Sequence, residues 1–212
     1  MEKKIGKVKH IYQCEKYPTG CEIISTIMNL LYLNIIITPE EFIDNYLEKG
    51  DYIKKDNQYY APSPFDKFVG SPYNDNSFGC YEPVIEKALI KLFSEKNLNF
   101  EVKNLNNVPM DIIIKDYIDK DIPVIFWATM DLKQTKDTRQ WIVPETGEKY
   151  TWKAYEHCLL LVGYNNEENN YYFHDPLKKE GPIPYNKEIV EQRHKEQFSN
   201  ACAIVKKKLK IN

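Results

Sequence analysis

The order of elements along the chain predicts an α+β fold. Capped helices occupy the N-terminal part, apolar runs with strand character crowd the second half, and short polar turns join several of those runs into antiparallel hairpins. The 212 residues suffice for one sizeable core. A single domain spanning 1–212, with its core over 11–205, is therefore expected.

The first helix is predicted to start just after Thr19, with Cys21 in its first turn, ahead of the run Ile23-Ile24-Ser25-Thr26-Ile27-Met28-Asn29-Leu30-Leu31-Tyr32-Leu33. That run is apolar nearly all round, the mark of a buried helix. Thr19 and Glu22 have capping-box spacing, with Thr19 as N-cap and Glu22 at the third helical position. Thr38-Pro39-Glu40-Glu41 repeats the start signal for a second helix, which should pass through Phe42, Tyr46 and Leu47 and stop at Gly50. Residues 51–79 show no sustained period and read as one long loop. Its seven aromatic residues (Tyr52, Tyr59, Tyr60, Phe65, Phe68, Tyr73 and Phe78) argue for an ordered cleft wall rather than disorder.

Helical spacing returns at Val84, Ile85, Ala88, Leu89 and Leu92, placing a helix over 82–98. A short strand over 99–105 and a helix over 110–118 follow. The run 122–128 reads as a buried strand, and 141–144 and 149–152 as arms of a hairpin. A second hairpin pairs 157–164 with 171–176 about the polar turn 165–170. A helix over 186–197 and a strand over 201–205 finish the chain.

Composition excludes several classes. Hydrophobic residues make up 42% and charged residues 28%, as in soluble globular proteins. A net charge of −2 gives no basic face for nucleic acid. The one dense basic run, Lys206 to Lys210, is expected to be a solvated strand end or tail. No apolar run is long enough to span a membrane. With no signal-peptide h-region after the basic N-terminus, the expected location is cytoplasmic, or exported if a leader has been removed. The five cysteines, Cys14, Cys21, Cys80, Cys158 and Cys202, are odd in number and lack the C-x-x-C spacing of zinc or redox motifs. No metal site and no cofactor are expected. His10 and His194 are expected at the surface.

Four residues suggest thiol chemistry. Cys21 falls in the first turn of a helix, where unpaired N–H groups and the helix dipole favour a negative charge and hence the reactive thiolate. Its competing reading is a small buried core residue. A thiol nucleophile needs an imidazole base and a group to orient that base. His157 starts one arm of the second hairpin and Asp175 ends the other, so pairing about the turn brings both to one end of the sheet. Gln13 is the candidate oxyanion donor. The chain order of cysteine, then histidine about 130–150 residues on, then orienter, is that of papain-like enzymes. Strand alternation points His174 and Cys158 away from this site. A turn residue at Asp175 and a capping role for His157 are the bland readings. Cys14 is expected to be a buried neighbour.

Gln13, Pro18-Thr19-Gly20-Cys21-Glu22, His157-Cys158-Leu159-Leu160-Leu161-Val162-Gly163-Tyr164 and Asp175-Pro176 resemble the double-glycine leader peptidase-like family. These are bacterial papain-like cysteine peptidases related to bacteriocin-processing domains. Gly70-Ser71-Pro72-Tyr73 and the segment 77–85 also look like loops of its stand-alone members. The resemblance implies a papain-like α+β fold, a Cys21–His157–Asp175 triad and Gln13 at the oxyanion hole. It also implies substrate contacts near Gly20, Gly70, Ser71, Tyr73 and Gly79. Gln13 stands slightly farther from Cys21 than the family's commonest spacing. The expected activity is hydrolysis of a peptide or small amide. A papain-like acyltransferase and a non-catalytic peptide-binding module are the alternatives. Oligomeric state is open.

Overall fold

The structure, a computed structural model, describes residues 1–13 and 16–208. In chain order its elements begin with β1 (Glu2–Lys4), α1 (Cys21–Tyr32), α2 (Pro39–Asn45), β2 (Lys49–Gly50), β3 (Ile53–Lys55), β4 (Gln58–Tyr60), β5 (Phe68–Val69) and α3 (Glu82–Glu95). Next come β6 (Phe100–Asn104), α4 (Met110–Asp116), β7 (Val124–Thr129), β8 (Asp137–Ile142) and β9 (Lys149–Lys153). The last are β10 (Glu156–Asn165), β11 (Asn170–His174), β12 (Ile183–Asn186), α5 (Lys187–Glu196) and β13 (Ala201–Lys206). Cys14 and Leu209 to Asn212, with the end of the basic run, lie outside the described residues.

The main sheet has the order β12-β11-β10-β7-β13-β6, and every neighbouring pair is antiparallel. β7 covers β10 only from Glu156 to Leu161. β1 takes over that flank, pairing Lys4 with Gly163 and Glu2 with Asn165. All residues of β7 and β10 are buried, which explains why both read as continuous apolar runs instead of alternating ones. α1 packs on β10 and β7, and α5 on β7, β11 and β12. Every residue of α1 from Cys21 to Leu30 is buried, as its all-round apolar character requires.

A second sheet, β3-β4-β8-β9, is built mostly from the stretch expected to be a loop and from the predicted 141–152 hairpin. Residues 51–79, expected as one long loop, instead hold β3, β4 and β5. Asp56 and Asn57 both take positive φ (48° and 59°) between β3 and β4, the backbone of a two-residue hairpin turn that Asp and Asn tolerate. Strands this short carry too little alternation to register as a period. Tyr52 and Phe78 from that stretch join an aromatic cluster: Trp141 lies within 6.1 Å, ring centre to centre, of both and of Tyr150 and Trp152. The Trp141 indole ties it down, its Nε1 donating to the Pro62 carbonyl.

α2 begins as predicted, with the Thr38 side chain accepting from the Glu41 N–H, but ends at Asn45 rather than reaching Gly50. Strands β1 and β12 were not anticipated. Each is short and borrows its order from a neighbour.

A bulge between Leu161 and Gly163 interrupts the β10–β11 ladder. Before it Asn165 faces Asn170, and beyond it Leu160 faces His174. Continuing that register sets Asp175 opposite Leu159, on the face that His157 shares. Without the extra residue Asp175 would stand opposite Leu160, on the other face. Gly163 makes room for the bulge beside β1, since a β-carbon there would meet the Lys3 carbonyl oxygen at 2.2 Å and Lys4 Cα at 3.0 Å. Gly163→Ala is expected to destabilise the fold by about 1–3 kcal/mol, read as a lower urea midpoint. An unchanged midpoint would show that β1 does not depend on this approach.

Candidate active site

Cys21 is the first residue of α1, and Gly20, not Thr19, is its N-cap, with no side-chain cap bond. The capping-box expectation is corrected accordingly. Glu22 is the second helical residue, and the Thr19 hydroxyl instead donates to the Ser71 and Asn74 carbonyls at 3.3 and 3.1 Å. Thr19 therefore stitches the approach to Cys21 onto the 71–74 loop. Gly20 lies so close to Tyr17 that a β-carbon would meet Tyr17 Cβ at 2.8 Å.

The histidine–aspartate pair stands as expected. His157 Nε2 bonds Asp175 Oδ1 at 2.7 Å, with both side chains at most 2% exposed. The same carboxylate accepts the Leu177 N–H at 2.9 Å and the Tyr185 hydroxyl at 2.6 Å. Burial alone would raise the Asp175 pKa. The His157 hydrogen bond and charge, with Tyr185 and the Leu177 N–H, outweigh it and hold the group at about 2. With Nε2 committed to the aspartate, Nδ1 is the ring nitrogen left for chemistry. His174 turns away and meets His10, Nδ1 to Nδ1 at 3.1 Å. Burial and the neighbouring His10 lower its pKa to about 4.

The thiol itself differs from expectation. Cys21 is 7% exposed. Its Sγ donates to Glu22 Oε2 at 3.3 Å and accepts the Cys158 N–H at 3.4 Å. Among the described residues no hydrogen bond joins it to His157. Burial, then the charges of Glu22 and Glu156, push the thiol well above its ordinary pKa, with only the Cys158 N–H working the other way. The helix-terminus field that favours a thiolate is thus overruled by desolvation and two acidic neighbours.

Glu22 and Glu156 are the site residues the sequence reading missed. Both are buried, and the carboxylates close on Gly79 from two sides. A β-carbon at Gly79, whose φ is +146°, would meet Glu22 Oε1 at 2.6 Å and Glu156 Oε2 at 2.8 Å. Glu22 Oε1 also accepts the Cys80 N–H at 2.6 Å. Burial raises Glu22 to about 7, opposed by these hydrogen bonds and by His157. The available signal was adjacency: Glu22 directly follows Cys21 and Glu156 directly precedes His157. Tyr185 was also missed, because β12 was not anticipated.

The remaining candidates scatter. Gln13 is buried, but its amide donates to the Tyr17 and Pro18 carbonyls, both at 3.0 Å. It braces the loop before Cys21, and among the described residues its Oε1 has no hydrogen-bond partner. Gly70 (φ 94°) and Ser71 shape a turn closed by the Ser77 hydroxyl, which accepts the Ser71 N–H at 2.8 Å. Tyr73 is 40% exposed. With Pro18, Asn74 and Asp75 it lines a hollow of about 640 Å³ next to the Cys21 loop. A larger hollow of about 890 Å³, between α4 and α5, shares no residue with this site. Cys158 is core, as expected. His194, expected at the surface, is 4% exposed, its ring stacked on Phe126 and its Nδ1 bonded to the Trp127 carbonyl at 2.7 Å.

Tyr185→Phe removes one of the three donors on Asp175. It is expected to raise the Asp175 pKa by roughly one unit and to lower stability by about 1–2 kcal/mol. Carboxyl-detected NMR titration and urea unfolding measure the two effects.

Comparison with known proteins agrees with the α+β fold. No curated protein matches the chain. Among solved structures, one described as a candidate C39-like peptidase from Bacillus anthracis superposes with a TM-score of 0.81 at 23% identity, covering 98% of each chain. At that identity the likeness speaks for the fold alone, a mixed α+β architecture. The model of the Peptidase_C39-like family matches residues 5–202, a span that takes in Cys21, His157 and Asp175, and the chain belongs to that family.

Proposed function

We propose that this protein is a cysteine peptidase, or a closely related amide hydrolase, acting through Cys21, His157 and Asp175. The observation that carries the reading is the buried His157–Asp175 pair, set directly beside the Cys158 amide that touches Cys21 Sγ. Family membership supports peptidase-type chemistry, and the fold is consistent with it.

In this reading the thiol turns from Glu22 to His157 Nδ1 when a substrate carbonyl enters. The imidazole takes the proton as sulfur attacks, and Asp175 stabilises the imidazolium. The tetrahedral oxyanion is met by the Cys21 N–H, one of the helix-start donors without an intrahelical acceptor. Gln13 joins it by releasing one of its two carbonyl partners. The imidazolium then protonates the leaving amine, and water activated by neutral His157 clears the acyl-enzyme. The substrate is a peptide or small amide, held along the 71–74 loop and the hollow at Tyr73. Should an amine replace water as acceptor, the same intermediate would make the enzyme a transferase. Product analysis with and without added amine separates the two.

The bond between Cys21 and Glu22 favours one other reading, a peptide-binding module whose thiol stays protonated. Cys21→Ala decides between them. It is expected to abolish turnover, a loss of at least about 10³-fold in kcat, with thermal stability nearly unchanged. Hydrolysis that persists in this variant would rule out the mechanism. A peptide bound by the wild type without any acyl-enzyme on prolonged incubation would favour the module.

A further inference from the structure

The geometry points to a divalent metal site at the start of α1, formed by Cys21 Sγ and the carboxylates of Glu22 and Glu156, that takes Zn²⁺ and thereby caps the thiol. Three observations converge on it. The three donor atoms lie within 4.8 Å of one another, and small side-chain rotations bring such a set to the separations of about 3–4 Å found around one zinc ion. Glu156 Oε1 is fully buried and has no hydrogen-bond partner among the described residues, a costly state for a carboxylate oxygen unless something else satisfies it. The two carboxylates also come together over Gly79, whose missing β-carbon leaves room for both: one there would meet Glu22 Oε1 at 2.6 Å and Glu156 Oε2 at 2.8 Å.

The donor set selects the ion. A thiolate with two carboxylates suits zinc, whereas magnesium and calcium prefer sites made wholly of oxygen. Binding releases the Sγ proton, and any proton the carboxylates hold, to solvent. Metal–sulfur and metal–oxygen bonds replace them and no electron is transferred. The Cys80 N–H to Glu22 Oε1 bond fixes one carboxylate from outside the set, as supporting donors do in metal sites. The Cys158 N–H does the same for the sulfur. Binding stands on these contacts alone. Its consequence, reversible shut-off of the nucleophile, rests on the peptidase reading.

The full chain, freed of metal, is titrated with Co²⁺ as a spectroscopic substitute for zinc. A thiolate-to-cobalt charge-transfer band that saturates at one equivalent and is displaced by Zn²⁺ is expected. It should vanish in Cys21→Ser, weaken roughly tenfold or more in affinity in Glu156→Gln, and persist in His157→Ala. Absence of the band would overturn the proposal. So would a band unchanged in Glu156→Gln or lost in His157→Ala, which would assign the ion to a thiol–imidazole chelate. If Glu156→Gln does not fold, zinc-edge X-ray absorption on the wild type decides, with one sulfur and oxygen neighbours expected and imidazole scattering contradicting. The readout needs no turnover. A Glu156-dependent band in an inactive protein would retain the site and discard the peptidase, and the converse result would do the reverse.

Discussion

The seam between the first turn of α1 and the start of β10 is the contact on which the rest of the molecule depends. Residue 158 makes it with both of its backbone groups, its N–H pointing at Cys21 Sγ and its carbonyl accepting the Ser25 hydroxyl at 3.1 Å. A helix and a strand joined at one residue cannot slide past each other. Cys21 is thereby held at a set distance along the chain path from His157, the residue just before the contact. β7 and β13 complete the sheet behind this strand, and α3 and α5 cover it.

Orientation is a separate requirement, met by the bulge at Leu161–Gly163. Helix packing places Cys21, but only the one-residue slip in β10 sends Asp175 to the His157 face of the sheet. The same slip sends His174 to the other face, where it stacks with His10. A local irregularity in backbone pairing thus decides which of two adjacent residues orients the imidazole. Gly163, with no side chain, lets β1 approach closely enough to seal the irregular edge.

Much of this was legible in the sequence because it rests on strong local signals. The all-round apolar run after Cys21, the Thr38-Pro39 start and the Asn165–Asn170 turn each have one physical reading, and each appears in the structure. What escaped depended on contacts between distant segments. β12 and β1 are too short to show a period, so Tyr185 could not be placed near Asp175. The Thr19–Glu22 spacing matched a capping box, but Thr19 found carbonyls at Ser71 and Asn74 and Glu22 found the Cys80 N–H. His194 carries nothing local that marks it as buried against Phe126. Most consequentially, nothing local to Cys21 shows that the fold buries it and brings Glu156 near, both of which oppose a thiolate. Short-range electrostatics in a dry site outweigh the field of a helix end.

The central claim is that Cys21 and His157 work as one unit although Cys21 Sγ meets Glu22 and the Cys158 N–H rather than the imidazole. Brief iodoacetamide labelling of metal-free protein across a pH series, resolved by peptide mapping, tests it most directly. The account predicts that Cys21 is alkylated far faster than the fully buried Cys80, Cys158 and Cys202, and that His157→Ala abolishes this selectivity. Cys21 labelling that matches the other thiols, or that is unchanged by the loss of His157, would contradict it.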